Sequence, residues 1–114
     1  NQSRCFTWVG DVVHALIQLA MTSEAVGEIF NIGSPNEISI RDLAFLVKEI
    51  TGSSSEVAFI PYEQAYEQGF EDMNRRVPAL EKINGLIGYT STMDVRGIIE
   101  KVVEDFKARG LNVE

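Results

Sequence analysis

One cysteine, Cys5, and one histidine, His14, are all that 114 residues contain of either type. A single thiol cannot close an intrachain disulfide, which fits a reducing compartment and a cytoplasmic location. The same scarcity leaves no His/Cys set for a tetrahedral zinc site, so no metal centre is expected. Positive charge is scarce too. Ten Lys and Arg face seventeen Asp and Glu, for a net charge of -7. Proteins that bind nucleic acid or an anionic membrane draw most of their affinity from a basic footprint, so neither partner is expected. No apolar run approaches the ~20 residues of a membrane span. G-x-G-x-x-G is absent; its nearest approach, Gly85-Leu86-Ile87-Gly88, lies between polar Asn84 and Tyr89. No lysine follows a glycine, which excludes a Walker-type phosphate loop. The chain opens on Asn1-Gln2-Ser3-Arg4, without Met or the apolar core of a signal peptide, and is expected to be a piece of something longer.

What is present is ordinary for a folded chain. Hydrophobic residues make up 45% and charged residues 24%, so one domain over residues 1–114 with its own core is expected. Residues 4–9 are aromatic and β-branched with rough alternation and predict a short strand. Asp11 then reads as the N-cap of a helix through about Thr22, with Val12, Leu16, Leu19 and Ala20 at helical spacing. Residues 28–32 and 57–60 predict two further strands, the second stopped by Pro61. Ser39-Ile40-Arg41-Asp42 has the form of a capping box. It opens a helix whose Leu43, Leu46, Val47 and Ile50 share a face and which ends at Gly52. Residues 62–66 predict one or two helical turns, 69–78 a loop, and 80–87 a short helix ended by Gly88. Ser91-Thr92-Met93-Asp94 predicts another capping box, followed by the stripe Val95, Ile98, Ile99, Val102, Val103 and Phe106 of a helix ending near Gly110. The fold class is α+β: a small, mostly helical domain with about three short strands.

Candidate chemistry is sparse. His14 follows Asp11 by three residues, close enough on one helix to be oriented by it, or it simply faces solvent. The acid pairs Glu71-Asp72 and Glu104-Asp105 read as solvated surface. Arg4 and Arg75-Arg76 stand out because cations are few. A guanidinium presents a planar fork to phosphate oxygens, and two arginines converging from distant points of the chain would suit a diphosphate. Surface arginines balancing Glu71 and Asp72 are the alternative. Phe6 and Trp8 suit either core packing or stacking on a base. Tyr62 and Tyr66 suit an apolar edge better than a sugar, and Asn31-Ile32-Gly33 reads as a strand end.

Taken in order, these segments resemble a family pattern. Residues 2–15 resemble the Q-T-R-x-F-x-Y-V-x-D-x-x-x-A segment of nucleotide-sugar epimerases and dehydratases, extended short-chain dehydrogenases that use NAD. Ile29-Phe30-Asn31-Ile32-Gly33 is similar to their (V/Y)-(F/Y)-N-(I/L)-G strand end, and Ile38-Ser39-Ile40-Arg41-Asp42-Leu43-Ala44 to one of their helix starts. Residues 72–79 resemble D-P-x-x-R-x-P-D, and Leu86-Ile87-Gly88-Tyr89 resembles L-L-G-(W/Y). Five motifs in the right order cover essentially the whole chain.

The resemblance implies a division of labour. In that family an N-terminal Rossmann portion binds NAD and carries a Y-x-x-x-K catalytic pair, while the C-terminal portion forms most of the nucleotide-sugar pocket. This chain resembles only the latter. Tyr62, Tyr66 and Tyr89 are followed four residues later by Tyr66, Phe70 and Met93, never by lysine, so neither a catalytic residue nor bound NAD is expected here. Carried over by position, Arg4 and Arg76 would contact the diphosphate of a UDP- or dTDP-sugar. Gln2 would lie along the nucleotide, and Arg75 is a neighbour. The parent's reaction would oxidise the sugar at C4 before epimerisation, dehydration or decarboxylation. The implied partners are the nucleotide sugar and the Rossmann domain of the same chain, whose docking face would leave exposed apolar residues that also invite homo-oligomers. Four positions depart from the pattern: Ala79 for Asp, Gly10 for Asp, Met73 for Pro and Trp8 for Tyr. Asp at 79 would cap the next helix, so Ala79 is expected to cost it ~1 kcal/mol. The competing reading is a stand-alone interaction module that keeps the fold without binding sugar nucleotide.

Overall fold

The structure, a computed structural model, describes residues 2–65 and 73–111. Asn1, Tyr66, Gly69, Phe70, Glu71 and Asp72, all named above, lie outside the described residues. The elements run β1 (Ser3–Cys5), α1 (Val9–Ala20), a 3-10 turn (Ser23–Ala25), β2 (Glu37–Ser39), α2 (Ile40–Thr51), α3 (Tyr62–Ala65), α4 (Glu81–Ile87) and α5 (Val95–Ala108). The α+β class holds, with helix dominant. α2 packs on α5 and α1 on α4.

The strands differ from expectation. The first is only Ser3–Cys5 and begins before the aromatic run; Phe6 to Trp8 carry the chain into α1. Its partner is β2, three residues too short to leave a periodic signal, in antiparallel register Ser3↔Ser39, Arg4↔Ile38 and Cys5↔Glu37. Residues 28–32 and 57–60 are not strands, because neither has a ladder partner among the described residues. β1 is used on both edges. A parallel bridge joins Ser3 to Arg75, and the Ser3 amide donates to the Asn74 carbonyl at 2.9 Å.

Helix starts also differ from expectation, at α1 because a tertiary contact claims the expected cap. α1 begins at Val9 behind Trp8, which offers no side-chain cap. Asp11 is instead buried in the first turn, and its two oxygens accept from the Thr92 amide (2.9 Å) and the Thr92 hydroxyl (2.6 Å). α5 is capped not by Ser91 but by Asp94, which accepts from the Gly97 amide at 2.8 Å. α4 is preceded by Leu80 in the cap position, so Ala79 lies one residue outside it. The cap loss expected at Ala79 therefore does not apply. Where the signal was local it held. Ser39 accepts from the Asp42 amide at 3.0 Å, and α2 and α4 end on left-handed Gly52 (φ 65°) and Gly88 (φ 68°).

Two departures from the family pattern explain each other. A Cβ at Gly10 would collide with Nε1 of Trp8, so the indole occupies the space that a side chain at position 10 needs. A larger ring at 8 goes with glycine at 10.

Among the described residues the buried apolar side chains are Ala15, Ile83 and Tyr89, with Leu19, Phe30, Ile32, Leu80 and Ile87 packed around them. Tyr89 Oη donates to the Gly33 carbonyl at 2.6 Å. Burial and the Asp11 carboxylate push the Tyr89 phenol up, keeping it a donor. The molecule is flat, 50 × 40 × 20 Å, with a radius of gyration of 17.3 Å against roughly 13 Å for a compact chain of this length. The core is thus smaller than composition suggested.

Asp11→Ala is expected to cost about 2 kcal/mol, because it strips two bonds to a buried carboxylate; an unchanged urea midpoint would refute the tether. In a double-mutant cycle, Gly10→Asp should destabilise the chain while Trp8 is present and be close to neutral with Trp8→Tyr, a coupling of about 1 kcal/mol. Additive effects in thermal melts would show that the two positions are independent.

Candidate functional site

The ladder around β1 decides where the arginines go. Successive strand residues point to opposite faces, and paired residues share a face. Ser3, its bridge partner Arg75 and the β2 residue Glu37 therefore lie on one side. There Arg75 Nε donates to both Glu37 oxygens, at 3.0 and 3.1 Å, and the Ser3 hydroxyl also donates to Glu37. Since the bridge is parallel, Arg4 and Arg76 are the next residues on both segments and share the other side. Arg75, the neighbour, is turned away and paired.

Arg4 and Arg76 accordingly line one cavity of about 240 Å³, together with Cys5, Thr7, Asn31, Gly33 and Pro78. That is below the ~300–1,000 Å³ of a site for a whole drug-sized ligand, and of a size for a charged group rather than a complete nucleotide. Arg4 Nη1 also donates to the Ser3 carbonyl at 2.7 Å, which fixes one end of its fork. The opposite wall is built by close backbone approach. A Cβ at Gly33 would meet the Pro78 ring at 2.8 Å, and Asn31 Nδ2 donates to the Ala79 carbonyl at 3.3 Å. Asn31 and Gly33, read as purely structural, are both structural and on the cavity wall. Burial pushes the Cys5 thiol up, with the Glu37 carboxylate adding to this and Arg75 opposing it. The thiol lies on the Ser3–Glu37 side of the ladder, opposite Arg4, and stays neutral.

Gln2 goes elsewhere. It lines a larger cavity, about 560 Å³, with Ser39, Arg41, Ala44 and Phe59, and its carbonyl accepts from the Ile40 amide at 2.9 Å. Arg41 there stands over Phe45 and Phe59, 5.9 and 5.6 Å from the ring centroids. The spacing of Arg41, Phe45 and Phe59 left this cluster unseen, because its third member lies beyond the helix. His14 sits by Asp11, but both Asp11 oxygens are taken by Thr92, so the carboxylate does not orient the imidazole. Glu104 and Asp105 face Lys101 and Arg109 at the surface of α5. Among the described residues no three His, Cys, Asp or Glu converge as a metal site, and no helix is long and apolar enough to cross a membrane.

No family model matches the chain. Among curated proteins it is 35% identical over 107 residues to the UDP-N-acetyl-alpha-D-glucosaminuronate decarboxylase of Bacillus cytotoxicus, covering 94% of this chain and 33% of that protein. The chain is a relative of the nucleotide-sugar epimerases and decarboxylases. It corresponds to their C-terminal part and spans about a quarter to a third of the length of the relatives it matches. Among solved structures, an epimerase from Methanothermobacter thermautotrophicus shares the fold, with a TM-score of 0.85 at 24% identity over 96% of this chain and 31% of that one. A Bordetella bronchiseptica enzyme solved with NAD+ and UDP gives a TM-score of 0.73 at 30% identity, over 94% of this chain and 30% of that one. Nucleotide-sugar epimerases and decarboxylases thus contain this arrangement of helices and short strands as a part.

Glu37 links the paired side of the ladder to pH. The Ser3 hydroxyl first, and Arg75 second, hold its carboxyl below the ordinary glutamate value. A depressed folded-state value contributes stability above the ordinary glutamate range and loses it as pH falls through the folded-state value. Carbon-13 NMR should show Glu37 titrating below the ordinary glutamate value, with Ser3→Ala moving it back up. An ordinary midpoint in the unsubstituted chain would contradict the bonding described.

Proposed function

We propose that this chain is the substrate-binding part of an NAD-dependent nucleotide-sugar epimerase or decarboxylase and that it anchors the diphosphate of a UDP- or dTDP-sugar through Arg4 and Arg76. The observation that carries the reading is that Arg4, near the start of the chain, and Arg76, about two-thirds along it, line one small cavity of an acidic protein. Guanidinium forks match phosphate oxygens in pairs, and a diphosphate offers two such groups side by side. Thr7 and Gly33 on the cavity wall carry no charge of their own. The relatives support the substrate class, since the Bacillus cytotoxicus enzyme and a UDP-glucuronic acid decarboxylase of Arabidopsis thaliana are both decarboxylases of UDP-sugars.

The contribution of these residues is orientation. Holding the pyrophosphate fixes one end of the substrate, so the sugar ring is presented in a set pose to the reacting groups of the longer enzyme. NAD, when bound there, supplies the hydride acceptor for oxidation at the sugar C4. The helix starts of this chain do not fit a dinucleotide cradle: Ser39 and Asp94 already occupy first-turn amides of α2 and α5, at 3.0 and 2.8 Å, and α1 starts behind the bulky Trp8. We therefore assign the cofactor to residues outside this chain.

The test is a titration of the chain with UDP, followed by amide NMR. A seat contacted from one side should bind in the millimolar range, about -4 kcal/mol, with shifts centred on residues 4–7, 31–33 and 75–78. Arg4→Ala and Arg76→Ala should each weaken binding about tenfold, the loss of one charge-assisted contact. Binding that ignores both substitutions, or shifts centred elsewhere, removes the diphosphate seat and leaves the interaction-module reading in its place.

A further inference from the structure

The residues immediately before the two cavity arginines meet on one carboxylate. Ser3 precedes Arg4, and Arg75 precedes Arg76. On the face of the ladder away from both cavity arginines, the Ser3 hydroxyl donates to Glu37 and Arg75 Nε donates to both Glu37 oxygens. Glu37 belongs to β2, opposite Cys5. Its carboxylate therefore reaches the other two segments from a third, 34 residues after Ser3 and 38 before Arg75. Glu37 is not among the residues that line the cavity. Nothing in the sequence marks it, because a lone acid on an acidic chain reads as solvated surface.

The backbone between these segments holds little by itself. Among the described residues a single parallel bridge, Ser3 with Arg75, joins the Arg75–Arg76 segment to β1. It carries the bond from the Ser3 amide to the Asn74 carbonyl, at 2.9 Å. Such a contact opens readily, since little else must break with it. The Glu37 carboxylate, on a side chain 31% exposed, accepts from both sides of that bridge. A hydrogen bond to an ionised acceptor is stronger than a neutral one. Alternation then carries the restraint through the ladder. With Ser3 and Arg75 fixed on one face, Arg4 and Arg76 leave the other face toward the same cavity. The gain is order, because a long side chain that must be fixed during binding costs affinity.

We propose that Glu37 is a positioning residue for the diphosphate seat: from the reverse face of the ladder it holds Ser3 and Arg75 together and so sets Arg4 and Arg76 on one cavity. It touches no phosphate itself. The proposal rests on the reading of Arg4 and Arg76 as phosphate contacts. Its first measurement needs no ligand, so the two fail in different ways.

Hydrogen exchange in the 114-residue chain reads the restraint directly. Glu37→Ala should speed exchange of the Ser3 amide about tenfold while the amides of α1 and α4 keep their rates. An unchanged Ser3 rate, beside intact UDP binding, would overturn this proposal alone. Titration with UDP then reads the consequence. Glu37→Ala should weaken binding about fivefold. Glu37→Gln should fall between, because its amide oxygen still accepts from one of the two donors and its smaller change keeps the test open if the alanine variant loses its fold. The deciding readout is a double-mutant cycle. In the Arg76→Ala chain the same Glu37→Ala change should cost only about twofold, since one of the two groups it positions is gone. A full loss in both backgrounds would make Glu37 a general structural residue and overturn the proposal. A folded chain that binds no UDP would remove the diphosphate seat, and the positioning role with it.

Discussion

Everything at the arginine cavity depends on β1 being a middle strand. With β2 on one edge and residues 74–75 on the other, three short segments from distant parts of the chain are locked in one register. A slip of one residue would turn every side chain to the opposite face, sending Arg4 and Arg76 where Arg75 now meets Glu37. The Arg75–Glu37 contact, with the Ser3 hydroxyl on the same carboxylate, opposes such a slip. A surface ion pair of this kind adds little stability, and its value here is geometric.

The far wall of the cavity is tied to the core by equally specific bonds. Tyr89 is one of the three buried apolar side chains among the described residues, and its hydroxyl donates to the Gly33 carbonyl. Gly33 in turn lies under Pro78, two residues after Arg76. Asp11 fastens the first turn of α1 to Thr92, just before α5. A small core can therefore position a site, because a few buried polar contacts of long sequence separation carry what apolar burial alone would not specify.

The rest of the surface is less finished. Lys82 pairs with Glu28 and holds the Ile29 carbonyl, and Arg96 reaches from α5 to Glu49 on α2. These contacts keep the flat layer together from its own side. On the outer stripe of α1, Val9, Val13, Leu16 and Ile17 stay exposed. A fold that makes up a quarter to a third of its relatives keeps the polar contacts that shape its site and leaves apolar faces open.

By itself the sequence determined the helices whose signals are local. Ser39 and Gly52 bound α2, Gly88 closes α4, and the Val95 to Phe106 stripe runs along α5, because caps, left-handed glycines and a 3.6-residue period need only near neighbours. It also singled out Arg4 and Arg76, through scarcity of cations and family likeness. Tertiary structure alone decided that Asp11 binds Thr92 instead of capping α1, and that β2 pairs where 28–32 and 57–60 do not. Those outcomes turn on partners dozens of residues away, and a carboxylate or a three-residue strand carries no mark of its partner until the chain has brought the two together.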